Sequence, residues 1–407
     1  MQAPTRTSTE ISRRRVARRP AATVADATTL PYRAGVDGLR AVAVIAIVVA
    51  ETGTGTLPGG FLGIEILFVL TGFLVTSLLL VERRERGYVH LLRFWARRAR
   101  RTLPAVLTVI GGVSIIVLTV RPEELSRLGP DVRSALLGVS NWQLILESGV
   151  TASTPSPLHH LWSVSLGAQF VVWWALVFSV SLSRLGRRRL RGMAFLLALA
   201  SALGMGLLSV VGETSRALYG TDTRASGFLL GALVALAFRP SAWHERAAGA
   251  RARRLRLVGL VLLAALFALV VAATPQSAWV PRGGLFLVAV LTALVIAVVL
   301  RSAEFDRMLG VAPLRWLGRR SNAIYLWHWP VLVMIGAPAV AEPPMLALYV
   351  GTTVVLADVT YRFVVLPLSR TRSVDGAAQM GRPSLAVGAT AVACGMATVA
   401  ALLTGPG

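Results

Sequence analysis

The chain alternates long apolar runs with short polar stretches rich in arginine. Apolar runs of about 17–22 residues, enough to cross a hydrocarbon core at 1.5 Å rise per residue, fall near 36–53, 60–81, 103–120, 160–182, 192–211, 217–238, 256–273, 283–300, 320–337, 345–364 and 384–403. Each predicts a membrane-spanning helix. The segment 132–147 is shorter and carries Arg133, Asn141 and Glu147, so topology has to place it. Arginine clusters lie at 13–19, 83–101, 184–191, 239–256, 301–320 and 370–382, and the positive-inside rule assigns all of them to the cytoplasmic side. With both 83–101 and 184–191 inside, only two spans can separate them: 103–120 goes out and 160–182 returns. The segment 132–147 is then expected on the outer side, re-entrant or interfacial.

The fold class expected is all-α, a multi-pass transmembrane helical bundle. Its ten-span core occupies 33–368 with both ends cytoplasmic, and one C-terminal span lies in 384–407. Residues 1–32 hold no apolar run and read as a disordered basic cytoplasmic arm, not a cleaved signal; 369–383 read as a cytoplasmic linker. The expected location is the plasma membrane, with the N-terminus in the cytoplasm.

Composition agrees. Hydrophobic residues make up 55% of the 407 and charged residues 15%, against about 25% charged in an average soluble domain. The formal charge of +23 would ordinarily raise nucleic acid as a partner. Here every basic residue is an arginine and most sit in the clusters above, so topology accounts for the charge and no nucleic-acid partner is expected. A single cysteine, Cys394, excludes an internal disulfide. The histidines, His90, His159, His160, His244 and His328, show no zinc-ligand spacing, so no metal is expected.

Ionisable groups within spans mark functional cavities by default. The first span carries Asp37, Arg40 and Glu51. Arg40 and Glu51 are eleven residues apart, so they share a helical face at roughly 16 Å separation. Two plainer accounts remain open: Asp37 and Arg40 as an interfacial i,i+3 ion pair, and Glu51 reaching outer water. Glu65 sits about five residues into the second span, facing a polar cavity or protonated. RFWARRARR places Arg93, Arg97 and Arg101 on one helical face with Arg98 beside it, suited to a phosphate-rich ligand or to anionic lipid. PLHHLWSVSLGAQF gathers His159, His160, Ser163 and Gln169; TDTRASG carries Asp222 and Arg224; SNAIYLWHWP carries Tyr325, Trp327, His328 and Trp329. Thr221 or Asp222 as a helix cap and an aromatic belt around His328 are the plainer accounts of the last two.

The order of these motifs resembles the integral-membrane acyltransferase-3 family of multi-pass O-acyltransferases, whose members acylate extracytoplasmic glycans, lipopolysaccharide and antibiotics. The resemblance runs over about 33–368, through YRAGVDGLRAVAV, LPGGFLGIEILFVLTGFLVTSLL, FWARRARRTLPA, SNW, SPLHHLWSVSLGAQF, TDTRASGFLLGALVA, LGRRSNAIYLWHWPV and YRFVVLPL. It implies a ten-span core, acyl-CoA as a co-substrate with no permanently bound cofactor, and a glycan or lipid-linked acceptor at the bilayer. Some relatives carry an added extracytoplasmic hydrolase-like domain, and none is expected in this chain.

The family's signature is an Arg, ten residues and a His. Arg40 matches the Arg, and Glu51 stands at the His. Gly167 and Ala168 replace an acidic pair, Asn322 a Tyr and Val365 a Glu. The resemblance thus implies Glu51 (as a weakened base) and Arg40 as catalytic residues. It assigns Arg97, Arg98 and Arg101 to the acyl donor and Glu65, His160, Asp222, Arg224 and His328 to the acceptor side, His159 and His160 being alternative bases. The sum of departures also fits a catalytically inactive relative that binds a ligand or serves a partner.

Overall fold

The computed structural model describes residues 30, 32–122, 125–147, 156–238, 247–336 and 342–370. The expected arm at 1–32 apart from Leu30 and Tyr32, the linker beyond Arg370, the C-terminal span, His244 and Cys394 lie outside them. Among the described residues all regular structure is helical. In chain order the helices are α1 (Ala34–Glu51), α2 (Gly63–Arg86), α3 (Leu91–Val120), α4 (Leu125–Leu137), α5 (Ser140–Leu146), α6 (Leu161–Val210), α7 (Thr214–Tyr219), α8 (Ala225–Ala237), α9 (Gly249–Ala272), α10 (Leu285–Arg301), α11 (Ala303–Leu309), α12 (Ala312–Ile335), α13 (Pro343–Thr360) and α14 (Leu366–Arg370).

Six helical stretches among these residues are long and apolar enough to cross a membrane: 60–86, 91–120, 161–210, 249–272, 280–301 and 343–368. The protein is a multi-pass membrane protein. Helix α12, with 24 residues, matches some of these in length and α1, with 18, is a little shorter; both are interrupted by polar and charged positions, which are described below. Within 132–147, α4 and α5 are too short to cross, since 13 residues rise only about 20 Å.

Helix α6 breaks at Gly186, whose φ of 73° is open to glycine without strain. Across the break Ser181 Oγ meets Met193 Sδ at 3.9 Å. Twelve residues of unbroken helix would hold them about 18 Å apart, so the chain doubles back here. The two apolar runs read as separate spans are the two arms of this hairpin.

Two large apolar clusters fill most of the interior, one gathering residues of α2, α6, α8 and α10, the other residues of α1, α3 and α12, and a small third joins α12 to α13 through Val331, Leu332 and Tyr349. Helix α1 supplies Leu39 and Ala43 to the first and Val44 and Ile47 to the second. It therefore lies at the seam, with Arg40 toward one end and Glu51 at the other. Lipid-type exposure falls on α6 and α9, where Leu196, Leu203, Leu207, Val261 and Phe267 face outward.

Helices α2 and α8 touch through backbone. A Cβ at Gly231 would strike the Val69 carbonyl, and one at Gly227 the Glu65 carboxylate; small residues four apart allow this approach in membranes. Phe228, between them in sequence, stacks on Phe68 at 4.4 Å and on Phe170 at 4.6 Å. Gly231→Leu is expected to force the helices apart at a cost of about 1–3 kcal/mol. The check is thermal unfolding in detergent, where an unchanged melting temperature would count against this packing.

Candidate functional site

At the arginine end, Glu82 in the last turn of α2 is fully buried. It bonds the Arg97 guanidinium, lies 3.4 Å from Arg86 and accepts the His90 backbone N–H at 3.3 Å. One carboxylate thus ties the end of α2 to the start of α3 and takes up Arg97. Glu82→Leu would strand that guanidinium. The expected loss is about 1–3 kcal/mol, seen as earlier unfolding in denaturant, with a wild-type curve as the contrary outcome.

Arg98 and Arg101 behave differently. They converge with Arg40 of α1 closely enough that the three repel one another, and among the described residues none of them has an ion-pair or hydrogen-bond partner. Asp37 does not form the i,i+3 pair with Arg40: it accepts from Tyr32 Oη at 3.0 Å and lies 3.8 Å from Arg319 Nε. Asp37 still attracts Arg40 across a distance, but guanidiniums held together without a direct ion pair can bind an anion with several oxygens through their planar forks.

At the other end of α1 lies a cluster of imidazoles and phenols. Tyr325 Oη accepts from Ser163 Oγ at 2.7 Å and donates to the His160 carbonyl at 3.1 Å. The His160 and His328 rings stand 5.7 Å apart, nearly perpendicular, and Tyr325 lies 5.7 Å from the first and 5.0 Å from the second. Both imidazoles are buried. His328 Nδ1 is 2.5 Å from the Tyr325 carbonyl, while neither ring nitrogen of His160 makes a hydrogen bond of full geometry among the described residues. Glu51 is half-buried and acts electrostatically on Tyr325 and Tyr349.

Beside this cluster Glu65 and Arg224 form a buried ion pair at 3.1 Å, with side chains 1% and 5% exposed. The guanidinium also lies over the rings of Phe68 (5.2 Å) and Trp162 (5.7 Å), and its charge reaches Tyr325. The space for Glu65 is the missing side chain of Gly227.

Of the residues singled out from sequence, Glu51, Glu65, His160, Arg224 and His328 therefore meet at one end, and Arg40, Arg98 and Arg101 at the other. Arg97 stands aside on Glu82. Asp222 stands apart from the imidazoles in an exposed bidentate pair with Arg216, at 2.7 and 2.9 Å. No side chain caps α8; Thr221 donates instead to Gln169 at 2.5 Å. His159 lies against Trp329 at 5.7 Å.

Sequence reasoning had named Tyr325 and Ser163 only in passing and had missed Tyr349 and Glu82. Tyr325 carried a usable signal, since it sits three residues before His328 and so shares its helical face, as Ser163 does with His160. Glu82 carried none: beside Arg83, Arg84 and Arg86 it looks like any solvated charge.

A family model described as an acyltransferase domain matches residues 33–362. The O-acetyltransferase OatA of Staphylococcus aureus (strain NCTC 8325 / PS 47) is 33% identical over 349 residues, 83% of this chain and 57% of that protein. The peptidoglycan O-acetyltransferase OatA of Listeria monocytogenes serovar 1/2a is 32% identical over 348 residues, 83% and 56% of the two chains. A putative O-acetyltransferase of Staphylococcus aureus (strain MSSA476) is 31% identical over 347 residues, 83% and 58%. The chain spans a little over half the length of these relatives. No solved structure matches it significantly.

Proposed function

Because the chain belongs to the acyltransferase-3 family, we propose that it is a membrane O-acyltransferase moving an acyl group, most simply acetyl, from acyl-CoA to a hydroxyl of a cell-envelope glycan or lipid-linked glycan. The core has ten spans in the plasma membrane: α1, α2, α3, the two arms of α6, α7 with α8, α9, α10, α12 and α13. Both ends of that core, and the arginine end of α1, are cytoplasmic.

The donor's phosphates bind Arg40, Arg98 and Arg101, with Arg97 held at the edge of the cluster by Glu82. The acceptor enters at the imidazole end, where Glu65, Arg224, His160 and His328 meet; Asp222 marks the rim. In the reaction the acceptor oxygen attacks the thioester carbonyl. A C–O bond forms, the C–S bond breaks, and the proton lost by the hydroxyl ends on the CoA sulfur. Glu51 contributes negative charge at the acceptor end, where taking up that proton creates a positive one.

The observation that carries this is the division of one helix: three guanidiniums with no direct ion pair among the described residues at one end of α1, and buried imidazoles and phenols at the other. Support comes also from the relatives, named as O-acetyltransferases, one of them of peptidoglycan. The test is the content of base-labile O-acetyl esters in envelope glycans of cells with and without the protein. Esters that appear with wild type and not with Arg40→Gln are expected; equal content in all three counts against the proposal.

A second role, a non-catalytic subunit that binds donor or glycan lipid, is favoured by the departures at Glu51, Gly167, Ala168, Asn322 and Val365. It predicts no ester in cells expressing the chain alone.

A further inference from the structure

With Glu51 at the position of the family's histidine, the proton of an acceptor hydroxyl needs a taker that works at neutral pH. An ordinary carboxylate, at about 4.3, is a weak one, whereas a neutral imidazole is well matched. We propose that His328 Nε2 is the general base of the acceptor end and that His160 holds the acceptor oxygen against it. This rests on the acyltransferase function proposed above and goes beyond it by naming the atom that takes the proton.

The tautomer of His328 follows from its neighbour. The Tyr325 carbonyl, 2.5 Å from Nδ1, can only accept, so the ring hydrogen is on Nδ1 and Nε2 carries the lone pair. The bond also fixes the ring's direction, as a second partner does for a catalytic histidine. His160 is 4% exposed, and neither ring nitrogen makes a hydrogen bond of full geometry among the described residues, the Leu326 backbone being the one main-chain group that acts on the ring. A histidine buried only for packing normally satisfies its N–H. At least one ring nitrogen of His160 is thus left for a ligand.

The spacing suits a hydroxyl. The ring centres are 5.7 Å apart, inside the roughly 8 Å that still lets two imidazoles hydrogen-bond one oxygen between them. His160 is held in place from behind, because Tyr325 Oη donates to its carbonyl while accepting from Ser163. Glu51 faces Tyr325 and Tyr349 and is not among the charges acting on either imidazole.

In the step itself, the hydroxyl O–H breaks and its proton passes to His328 Nε2 while the oxygen bonds to the acyl carbon. The C–S bond breaks, and the imidazolium returns its proton to the departing thiolate. His160 makes hydrogen bonds throughout and changes no covalent bond.

The test is acetyl transfer by the purified chain in nanodiscs, with acetyl-CoA and soluble peptidoglycan fragments as the probe. His328→Asn keeps an amide N–H for the Tyr325 carbonyl and removes the base. It is expected to lower kcat by about 10²–10⁴-fold with KM for acetyl-CoA unchanged, and His328→Gln, a second variant should the first fold poorly, to do the same. If wild type transfers acetyl and both His328 variants remain within about tenfold of it, the base assignment fails and the acyltransferase function stands. If wild type binds acetyl-CoA and transfers nothing to these fragments or to envelope membranes, the acyltransferase function fails and the base assignment with it.

Discussion

Arg224→Ala lowers the stability of the detergent-solubilised protein by about 3–5 kcal/mol, the usual cost of stranding one member of a buried ion pair. Glu65 is 1% exposed, its only close counter-charge among the described residues is the Arg224 guanidinium at 3.1 Å, and Gly227 brings α8 so near that the carboxylate cannot swing to water. The two ring faces over which the guanidinium lies add to the loss. Replacing both members, as in Glu65→Leu with Arg224→Met, removes the stranded charge. Its expected stability is within about 1–2 kcal/mol of wild type, since apolar pairs of similar volume substitute well for buried ion pairs, while acyl transfer is lost. Denaturant or thermal unfolding of the three proteins decides the matter. A single Arg224→Ala variant as stable as wild type would show that the pair contributes little to holding α2 against α8.

Arg40→Gln is expected to act in the opposite direction on stability. Arg40 has no direct ion pair among the described residues, and the repulsion by Arg98 and Arg101 offsets the more distant attraction of Asp37, so its removal leaves the melting temperature unchanged or higher. Donor binding suffers: losing one charge-assisted contact to phosphate, worth about 1.5–3 kcal/mol, raises the dissociation constant for acetyl-CoA about 10–100-fold. Binding should also weaken with salt, as contacts between exposed charges do. Equilibrium binding of labelled acetyl-CoA at two ionic strengths measures both effects. A destabilised Arg40→Gln protein that binds acetyl-CoA as wild type does would make Arg40 a structural residue.

These two arginines look alike in sequence, each standing two or three residues after an aspartate near the end of an apolar run. What separates them is which helix lies opposite, and that depends on long-range packing. The apolar runs themselves were legible because a membrane demands one period and one length. Even the reversal inside α6 could be read from 184–191, where arginines interrupt two runs of spanning length.

The meeting of Glu65 with Arg224 was not legible, because it depends on Gly227 and Gly231 admitting α8 to α2. Nor was the capture of Arg97 by Glu82, which separates Arg97 from Arg98 although they are adjacent in the chain. Asp222 misled for a local reason: Arg216, six residues earlier, reaches it across the turn between α7 and α8. The approach of His160 to His328 joins α6 to α12, 168 positions apart in sequence, and only their motifs, never their proximity, could be read from the chain.

The most direct measurement is transfer from radiolabelled acetyl-CoA in sealed vesicles that expose the arginine end to the medium, using membranes that retain their native glycan acceptors. The account predicts base-labile label on glycan with wild type, no label with Arg40→Gln, and none when acetyl-CoA is supplied only to the opposite face. Absence of label with wild type, in vesicles that bind acetyl-CoA, would contradict it and leave the chain a binding subunit.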